Sequence, residues 1–351
     1  MCKSALHPFL AALPKCELHL HLEGTLSPTF EFELAQKNNI ILPQDDPAFA
    51  SPEALLERYS HFSDLDDFLH YYLIGMTVLQ YASDFEDLAM KYFIKASSDG
   101  VRHAEVFFDP EAHTSRGVPY ETVVKGFRTA CQRAEKELSI STKLIICVLR
   151  SFPVQSAQDT YDTAVRLGHF TDGTLGGLGI SDTEIGQPTL KWEGIFTAAK
   201  DAGIRRTAHA GEEGPAEYIR GALDFLHAER IDHGKSLADD PELMKRVVEE
   251  KILITMCPVS NVRTRVIGSV GEAPIREFLD AGVRFCINSD DPAYFGSYIL
   301  DTYCAVQDAF ELGVREWELI TENSIEGSWC DERRKEKLHI ALKQCVEKFN
   351  G

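Results

Sequence analysis

Basic residues are in short supply in this 351-residue chain: 36 Lys and Arg stand against 55 Asp and Glu, a formal net charge of −19. So acidic a chain is poorly suited to neutralising phosphates, which argues against a nucleic-acid backbone and an anionic membrane surface as partners. Long apolar runs are also missing. None approaches the roughly 18 residues of a membrane helix, and no signal-peptide core opens the chain. The nine cysteines form no Cys-x-x-Cys pair; an odd number scattered from Cys2 to Cys345 suits reduced thiols in a cytoplasmic compartment better than a disulfide framework. Low-complexity linkers and residue-level repeats are absent as well. The expectation is a soluble protein whose 44% hydrophobic content supports a large core, with a small neutral molecule as the partner its charge leaves open. Oligomeric state is not encoded in any of these features.

What the chain does have is an alternation of element type. β-rich stretches fall at 16–22, 101–108, 143–149, 174–180, 205–210, 229–232, 252–256 and 283–288. Helical segments follow most of them, at 119–138, 156–169, 189–202, 215–228 and 241–250. Runs such as Leu144-Ile145-Ile146-Cys147-Val148-Leu149 are apolar throughout, as expected of parallel strands covered on both faces. Eight strand–helix units predict an α/β fold, a (β/α)8 TIM barrel, whose usual core of about 250 residues leaves room for additions. A doubly wound open sheet is the alternative, but the Gly-x-Gly-x-x-Gly turn of its nucleotide-binding version is missing. Residues 1–351 then form a single barrel domain with two additions. One is a helical insertion at about 28–100, where Phe68, Leu69, Tyr72, Leu73, Met76 and Leu79 make an apolar stripe. It packs on the barrel, and its place after a strand's C-terminal end suits a lid over the mouth. The other is a set of C-terminal helices at about 297–351, the last burying Leu338, Leu342, Cys345 and Phe349.

Chemistry concentrates at predicted strand ends. In Cys16-Glu17-Leu18-His19-Leu20-His21-Leu22, period-two alternation puts both histidines on one face. Alone, the pair reads equally well as ordinary polar strand residues. Three more polar clusters change the balance: His209-Ala210-Gly211-Glu212, Asp232-His233-Gly234, and Asn288-Ser289-Asp290-Asp291-Pro292. All lie at C-terminal strand ends, the face where a barrel builds its site. His19, His21, His209 and Asp290 together offer three nitrogens and one carboxylate oxygen, a donor set that suits Zn2+ among divalent transition metals. Such a metal provides hydroxide at neutral pH, so hydrolysis is the expected reaction class. Glu212 is the candidate general acid, provided burial or a neighbouring charge raises its pKa. His233 is placed to orient the water, and Asp291 to accept a hydrogen bond from the substrate.

Read together, these motifs resemble the adenosine/adenine deaminase family of the amidohydrolase superfamily, from Leu13-Pro14-Lys15 to Asn323-Ser324. Four carry the resemblance in order: His19-Leu20-His21-Leu22-Glu23-Gly24, His209-Ala210-Gly211-Glu212, Ile231-Asp232-His233-Gly234 and Asn288-Ser289-Asp290-Asp291-Pro292. The resemblance implies one zinc per chain on His19, His21, His209 and Asp290. It implies Glu212 as proton donor to purine N1, His233 beside the attacking hydroxide, Asp291 at purine N7, and replacement of the C6 amine with release of ammonia. Glu23 stands where adenosine-specific members resemble Asp, and Phe107-Phe108-Asp109-Pro110 with His113 is similar to the free-base branch. That implies adenine as substrate and hypoxanthine as product in purine salvage, with Glu23 filling space a ribose would need. Adenosine or another 6-aminopurine remains the alternative substrate, and a non-catalytic purine-binding barrel the alternative class. One stretch departs from the family: Gly179-Ile180-Ser181-Asp182-Thr183-Glu184 has Ser181 in place of an acidic residue, which leaves open how this loop meets the purine N3 edge. The resemblance also implies the cytoplasm, with the nucleus as a second compartment.

Overall fold

The computed structural model describes residues 4–350. Eight parallel strands run in order around a barrel: β1 (Lys15–Glu17), β2 (Val101–Phe108), β3 (Ser141–Leu149), β4 (Gly177–Ser181), β5 (Thr207–Ala210), β6 (Arg230–His233), β7 (Leu253–Met256) and β8 (Arg284–Ile287). They pair as β1-β2-β3-β4 and β5-β6-β7-β8. Bridges between Leu178 and Arg206 and between Leu20 and Asp290 link the two halves into a ring. The (β/α)8 expectation is met. Val106, Phe107 and Phe108 are all fully buried, because helices cover the outside and side chains from facing strands fill the inside. At the N-terminal end of the barrel, Arg230 donates to Glu105 at 2.6 Å and lies 4.2 Å from the ring centre of Trp329. Against burial, Arg230 and His103 hold the Glu105 carboxyl down at about 2.

The first strand is shorter than its alternating pattern predicts. It stops at Glu17 because the Leu18 N–H donates to the Asn288 side chain at 2.8 Å rather than to a neighbouring strand. The chain stays extended beyond that point. His21 N–H donates to Asp290 O at 3.0 Å, and Phe107 N–H to Leu20 O at 2.8 Å. The two-face pattern also changes meaning. Leu18, Leu20 and Leu22 are fully buried, and so is His19, with His21 at 5% exposure; one face enters the packing and the other enters the site.

Between β1 and β2 the chain forms helices Pro28–Asn38, Pro52–Tyr59, Leu65–Met76 and Ala82–Ser98. Side-chain caps mark their starts: Ser27 accepts from Phe30 N–H, and Asp64 accepts from Asp67 N–H at 2.8 Å. Phe68, Tyr72 and Met76 form the buried face of Leu65–Met76. Leu73, expected on the same stripe, is 37% exposed, since it lies a quarter turn past Tyr72 and leaves the contact. Phe68 packs 4.8 Å from Phe295 and 5.4 Å from Tyr294, so this helix lies across the turn that follows β8. The C-terminal segment forms Ile299–Phe310, Val314–Gly327 and Glu332–Asn350, with Leu338, Leu342 and Cys345 buried and Phe349 against Phe9. Cys2 lies outside the described residues. The other eight cysteines are buried and form no disulfide with one another. No helix among the described residues is long and apolar enough to cross a membrane.

Glu31 is buried beneath this helical layer, with Tyr59 donating to one oxygen at 3.3 Å and the other oxygen without a partner. Burial pushes its carboxyl up to about 8, above the ordinary unfolded value near 4.3. A raised folded pKa means that its stability contribution is complete below about pH 4 and is lost as pH rises through about 8. Glu31→Gln should therefore remove roughly 1–3 kcal/mol of the stability lost between pH 5 and pH 8, measured as a smaller fall in Tm across that range than the unsubstituted chain shows.

Candidate active site

The ends of β1, β5, β6 and β8 bring five side chains to one point. Ligand atoms of His19, His209, His233 and Asp290 all lie within 4.8 Å of one another. His21 joins them: its Nε2 is 3.1 Å from His209 Nε2 and 3.7 Å from Asp290 Oδ1. His19 Nε2 is 3.2 Å from the same carboxylate oxygen. Ligands about 2.0–2.2 Å from a tetrahedral metal are roughly 3.3–3.6 Å apart, so these separations match the edges of a coordination polyhedron. The two facing imidazole nitrogens can share one hydrogen in the empty site, and with both lone pairs turned inward they offer adjacent positions to a metal. Burial holds His21 and His233 well below, and His209 below, their ordinary values, which keeps them in the neutral, ligating form. Against burial, His19, whose own pKa Asp290 raises, holds Asp290 well below the usual carboxylate range. The donor set fits a divalent metal.

A second layer fixes these ligands, and most of it escaped sequence reasoning. Asp232 accepts from Thr207 Oγ1 at 2.7 Å and from Thr255 Oγ1 at 2.7 Å. Its oxygens lie 3.5 Å from His209 Nδ1 and 4.0 Å from His19 Nδ1. A carboxylate behind two imidazoles orients the rings and raises their basicity. Despite burial, His209 and His19 keep Asp232 well below the usual carboxylate range. The available signal was the strand itself, where Arg230 and Asp232 put two charges on one face of a buried strand. Backbone strain collects here too: His233 and Asp290 adopt φ of 63° and 66°, conformations that non-glycine residues hold only where packing enforces them.

Glu212 follows β5 on a loop held from beneath. The Glu184 carboxylate accepts three backbone N–H groups, from Gly211 at 2.7 Å, Glu212 at 3.0 Å and Gly214 at 2.9 Å. Glu213 returns the contact, accepting from the Thr183 hydroxyl and the Glu184 N–H. Glu184 is thus engaged in the loop, and Ser181 and Asp182 are the parts of its segment that reach the cavity. Glu212 itself lies 3.3 Å from His233 Nε2, with Asn261 donating to its other oxygen at 3.4 Å. Burial, then Asp290 and Glu184, push its carboxyl well above the ordinary value. Asp291 is buried, and its Oδ1 has no hydrogen-bond partner. Gly24 lies against it: a Cβ there would stand 2.7 Å from Asp291 Cα, so only glycine allows this approach.

His21, His209, Glu212, Asp290 and Asp291 line a tight cavity of about 40 Å3, roofed by Leu65, Phe68, Leu69 and Tyr72 of the helix Leu65–Met76, with Asp109, Leu149 and Ser260 among its other walls. Glu23 is not among the lining residues. It turns under the wall, where its Oε1 accepts from the Asp109 N–H at 3.1 Å and lies 2.9 Å from His113 Nε2. The expected direct filling of ribose space by Glu23 is therefore corrected: its carboxyl builds the wall rather than facing the ligand. Each site residue read from the sequence, His19, His21, His209, Glu212, His233, Asp290 and Asp291, is at the rim.

A parallel barrel with a His/Asp metal-ligand cluster at its C-terminal rim defines the class as a metal-dependent hydrolase type. Comparison with known proteins narrows it. Residues 14–345 match the family described as Adenosine deaminase, and the chain belongs to that family. It is 57% identical over 338 residues to an adenine deaminase of Aspergillus oryzae, with 96% of each chain covered. A crystal structure of adenine deaminase from Arthrobacter aurescens superposes with a TM-score of 0.90 at 42% identity, covering 95% of this chain and 99% of that one. An amidohydrolase from Burkholderia ambifaria, solved with bound Zn, gives 0.89 at 26% identity, covering 100% and 95%.

Asp232→Asn removes the negative charge behind His209 and His19. Metal affinity should fall about 10–100-fold, measured by competition against a chromophoric chelator, with unfolding of the metal-stripped protein as the control for a purely structural loss.

Proposed function

We propose that this chain hydrolyses adenine to hypoxanthine and ammonia, using one zinc ion held by His19, His21, His209 and Asp290. The observation that carries the reading is Glu212, a buried carboxyl pushed toward its neutral form beside His233 and the ligand cluster. The adenine deaminases named above, similar over nearly their whole lengths, support the choice of substrate. The Zn-bound neighbour supports the choice of metal. In the same reading the chain is one barrel domain whose helical insertion serves as a lid, and its buried, non-disulfide cysteines support a cytoplasmic setting.

The purine enters beneath Phe68 and Leu69 with C6 toward the ligand cluster, N1 toward Glu212 and N7 toward Asp291. Zinc bound at the cluster lowers the pKa of water to about 7 and so supplies a nucleophile at neutral pH. Neutral Glu212 donates its proton to N1, which drains electron density from C6 and favours addition there. His233 Nε2 orients the attacking water and holds its proton. Asp291, pushed toward its protonated form by burial and then by Asp290, donates to N7 and fixes the ring plane. Collapse of the adduct restores the C6 oxygen as a carbonyl and expels the amine, which leaves as ammonia after protonation from the Glu212–His233 pair. Adenosine is the second reading, favoured by the family's description.

Adenine and adenosine turnover followed by absorbance, with and without a chelator, tests the substrate. Adenine should be consumed far faster, and the chelator should abolish turnover; adenosine consumed as fast would overturn the free-base assignment. Glu212→Gln keeps the shape of the side chain and removes its acid. Turnover should fall about 10²–10⁴-fold with bound zinc unchanged, whereas loss of zinc would refute the role given to Glu212.

A further inference from the structure

Asp109 has no role in the chemistry above, yet it is 1% exposed and lines the cavity. Tyr72 on the lid helix donates to its Oδ2 at 2.8 Å, while Oδ1 is buried with no partner. Burial and the neighbouring Glu23 push this carboxyl well above its ordinary value; with Tyr72 on Oδ2, an unpartnered Oδ1 beside a cavity is costly unless a ligand donor completes it.

Its place on the rim says which donor. The cavity wall runs in strand order, and the purine perimeter runs in atom order. With N7 at Asp291 after β8 and N1 at Glu212 after β5, the perimeter between them reads C8, N9, C4, N3, C2. The wall between them passes the ends of β1, β2, β3 and β4. N3 then meets the β4 end, where Ser181 and Asp182 line the cavity, and the β3 end offers only Leu149. N9 falls on the β2 end, where Asp109 follows Phe108. In the free base N9 carries a hydrogen in the major tautomer; in a nucleoside it carries the sugar.

We infer that Asp109 is the specificity-determining residue for the free base, its open Oδ1 accepting the N9–H of the purine. This inference rests on the proposed adenine deaminase activity and extends it to the edge of the ring opposite the reacting carbon. A substituent at N9 removes the donor and pushes carbon against a buried oxygen, so a ribosylated purine is rejected twice. The residues behind Asp109 keep the acceptor in place. Glu23 holds its backbone N–H at 3.1 Å, and His113 Nε2 faces the same Glu23 oxygen at 2.9 Å. Arg116 donates to His113 Nδ1 at 2.8 Å, which fixes the tautomer that donates from Nε2 to Glu23. Arg116 also donates to the carbonyl of Leu79, beyond the lid helix. Glu23 is thus a positioning residue for Asp109.

The test compares adenine with 9-methyladenine, which differs only at N9. In the unsubstituted enzyme, kcat/KM for 9-methyladenine should be lower by about 10²-fold or more. Asp109→Ala should lower kcat/KM for adenine by roughly 10–100-fold and leave 9-methyladenine unchanged or improved, so that discrimination collapses. Tyr72→Phe keeps the ring and frees only Oδ2; adenine should lose several-fold and 9-methyladenine nothing. Equal losses on both substrates in either variant would make Asp109 merely structural and overturn the inference. An Asp109→Ala enzyme that gains 9-methyladenine without losing adenine would overturn the acceptor role, leaving only a steric one. If the unsubstituted enzyme consumes adenine and 9-methyladenine equally, this inference fails while the deaminase reading stands. If it consumes neither, the deaminase reading is what fails.

Discussion

Two imidazole nitrogens, on His21 and His209, face each other at 3.1 Å, with Asp290 close to one of them. That crowding is the constraint on which the rest of the rim depends. In one tautomer the pair shares an Nε2–H···Nε2 hydrogen bond; with both lone pairs turned inward, as ligation requires, a cation between them is what makes the arrangement favourable. The barrel imposes it because the closure between β8 and β1 sets Asp290 beside His21, while His209 reaches the same point from β5 across the barrel mouth. Strained backbone at His233 and Asp290 is part of the same arrangement, since rotating either residue to a relaxed conformation would turn its side chain away from the centre. Asp232 then orients the imidazoles from beneath, through contacts with His209 and His19.

The acid side of the site is built by a different device. Glu212 is pushed toward its neutral form near the ligand cluster, first by burial and then by neighbouring carboxylates. Asp290 and Glu184 both raise its pKa, but Glu184 does so while holding the loop by three backbone N–H groups. One carboxylate therefore sets both the position and the protonation of another. Because Glu213 clasps the β4 loop in return, the loops after β4 and β5 form one unit. Ser181, the departure from the family pattern, sits in that unit at the cavity wall, where its small size makes room rather than adding charge.

Much of this was legible in the chain. Continuous apolar runs identified the buried parallel strands, and polar clusters closing those runs identified the rim, because both signals are local. Residues whose role depends on distant partners were not legible. β1 ends early because Asn288, far along the chain, captures the Leu18 N–H. Leu73 leaves its stripe because the helix Leu65–Met76 contacts the barrel over a face narrower than the helical pattern suggests. Glu184 shows nothing in the sequence of the three amides it accepts. Glu23 follows the same rule: the direction of its carboxyl depended on His113 and on the Asp109 backbone, which the residue's identity does not show.

That last case changes how a specificity difference is read from sequence. A longer acid at position 23 suggests a side chain pushed into the ligand's space. The structure makes it a strut. Glu23, His113 and Arg116 form a chain of hydrogen bonds that runs behind the wall to the carbonyls of Thr77 and Leu79, where the lid helix ends. Tyr72, one turn earlier on that helix, grips Asp109 from the cavity side. The helix Leu65–Met76 and the wall therefore share one network of buried polar groups, in which Glu23 Oε2, Arg116 Nε and Asp109 Oδ1 have no protein partner. A ligand donor at Asp109 Oδ1 would extend that network, so recognition of the distal edge of the ring and the seating of the helix would be linked by the same hydrogen bonds.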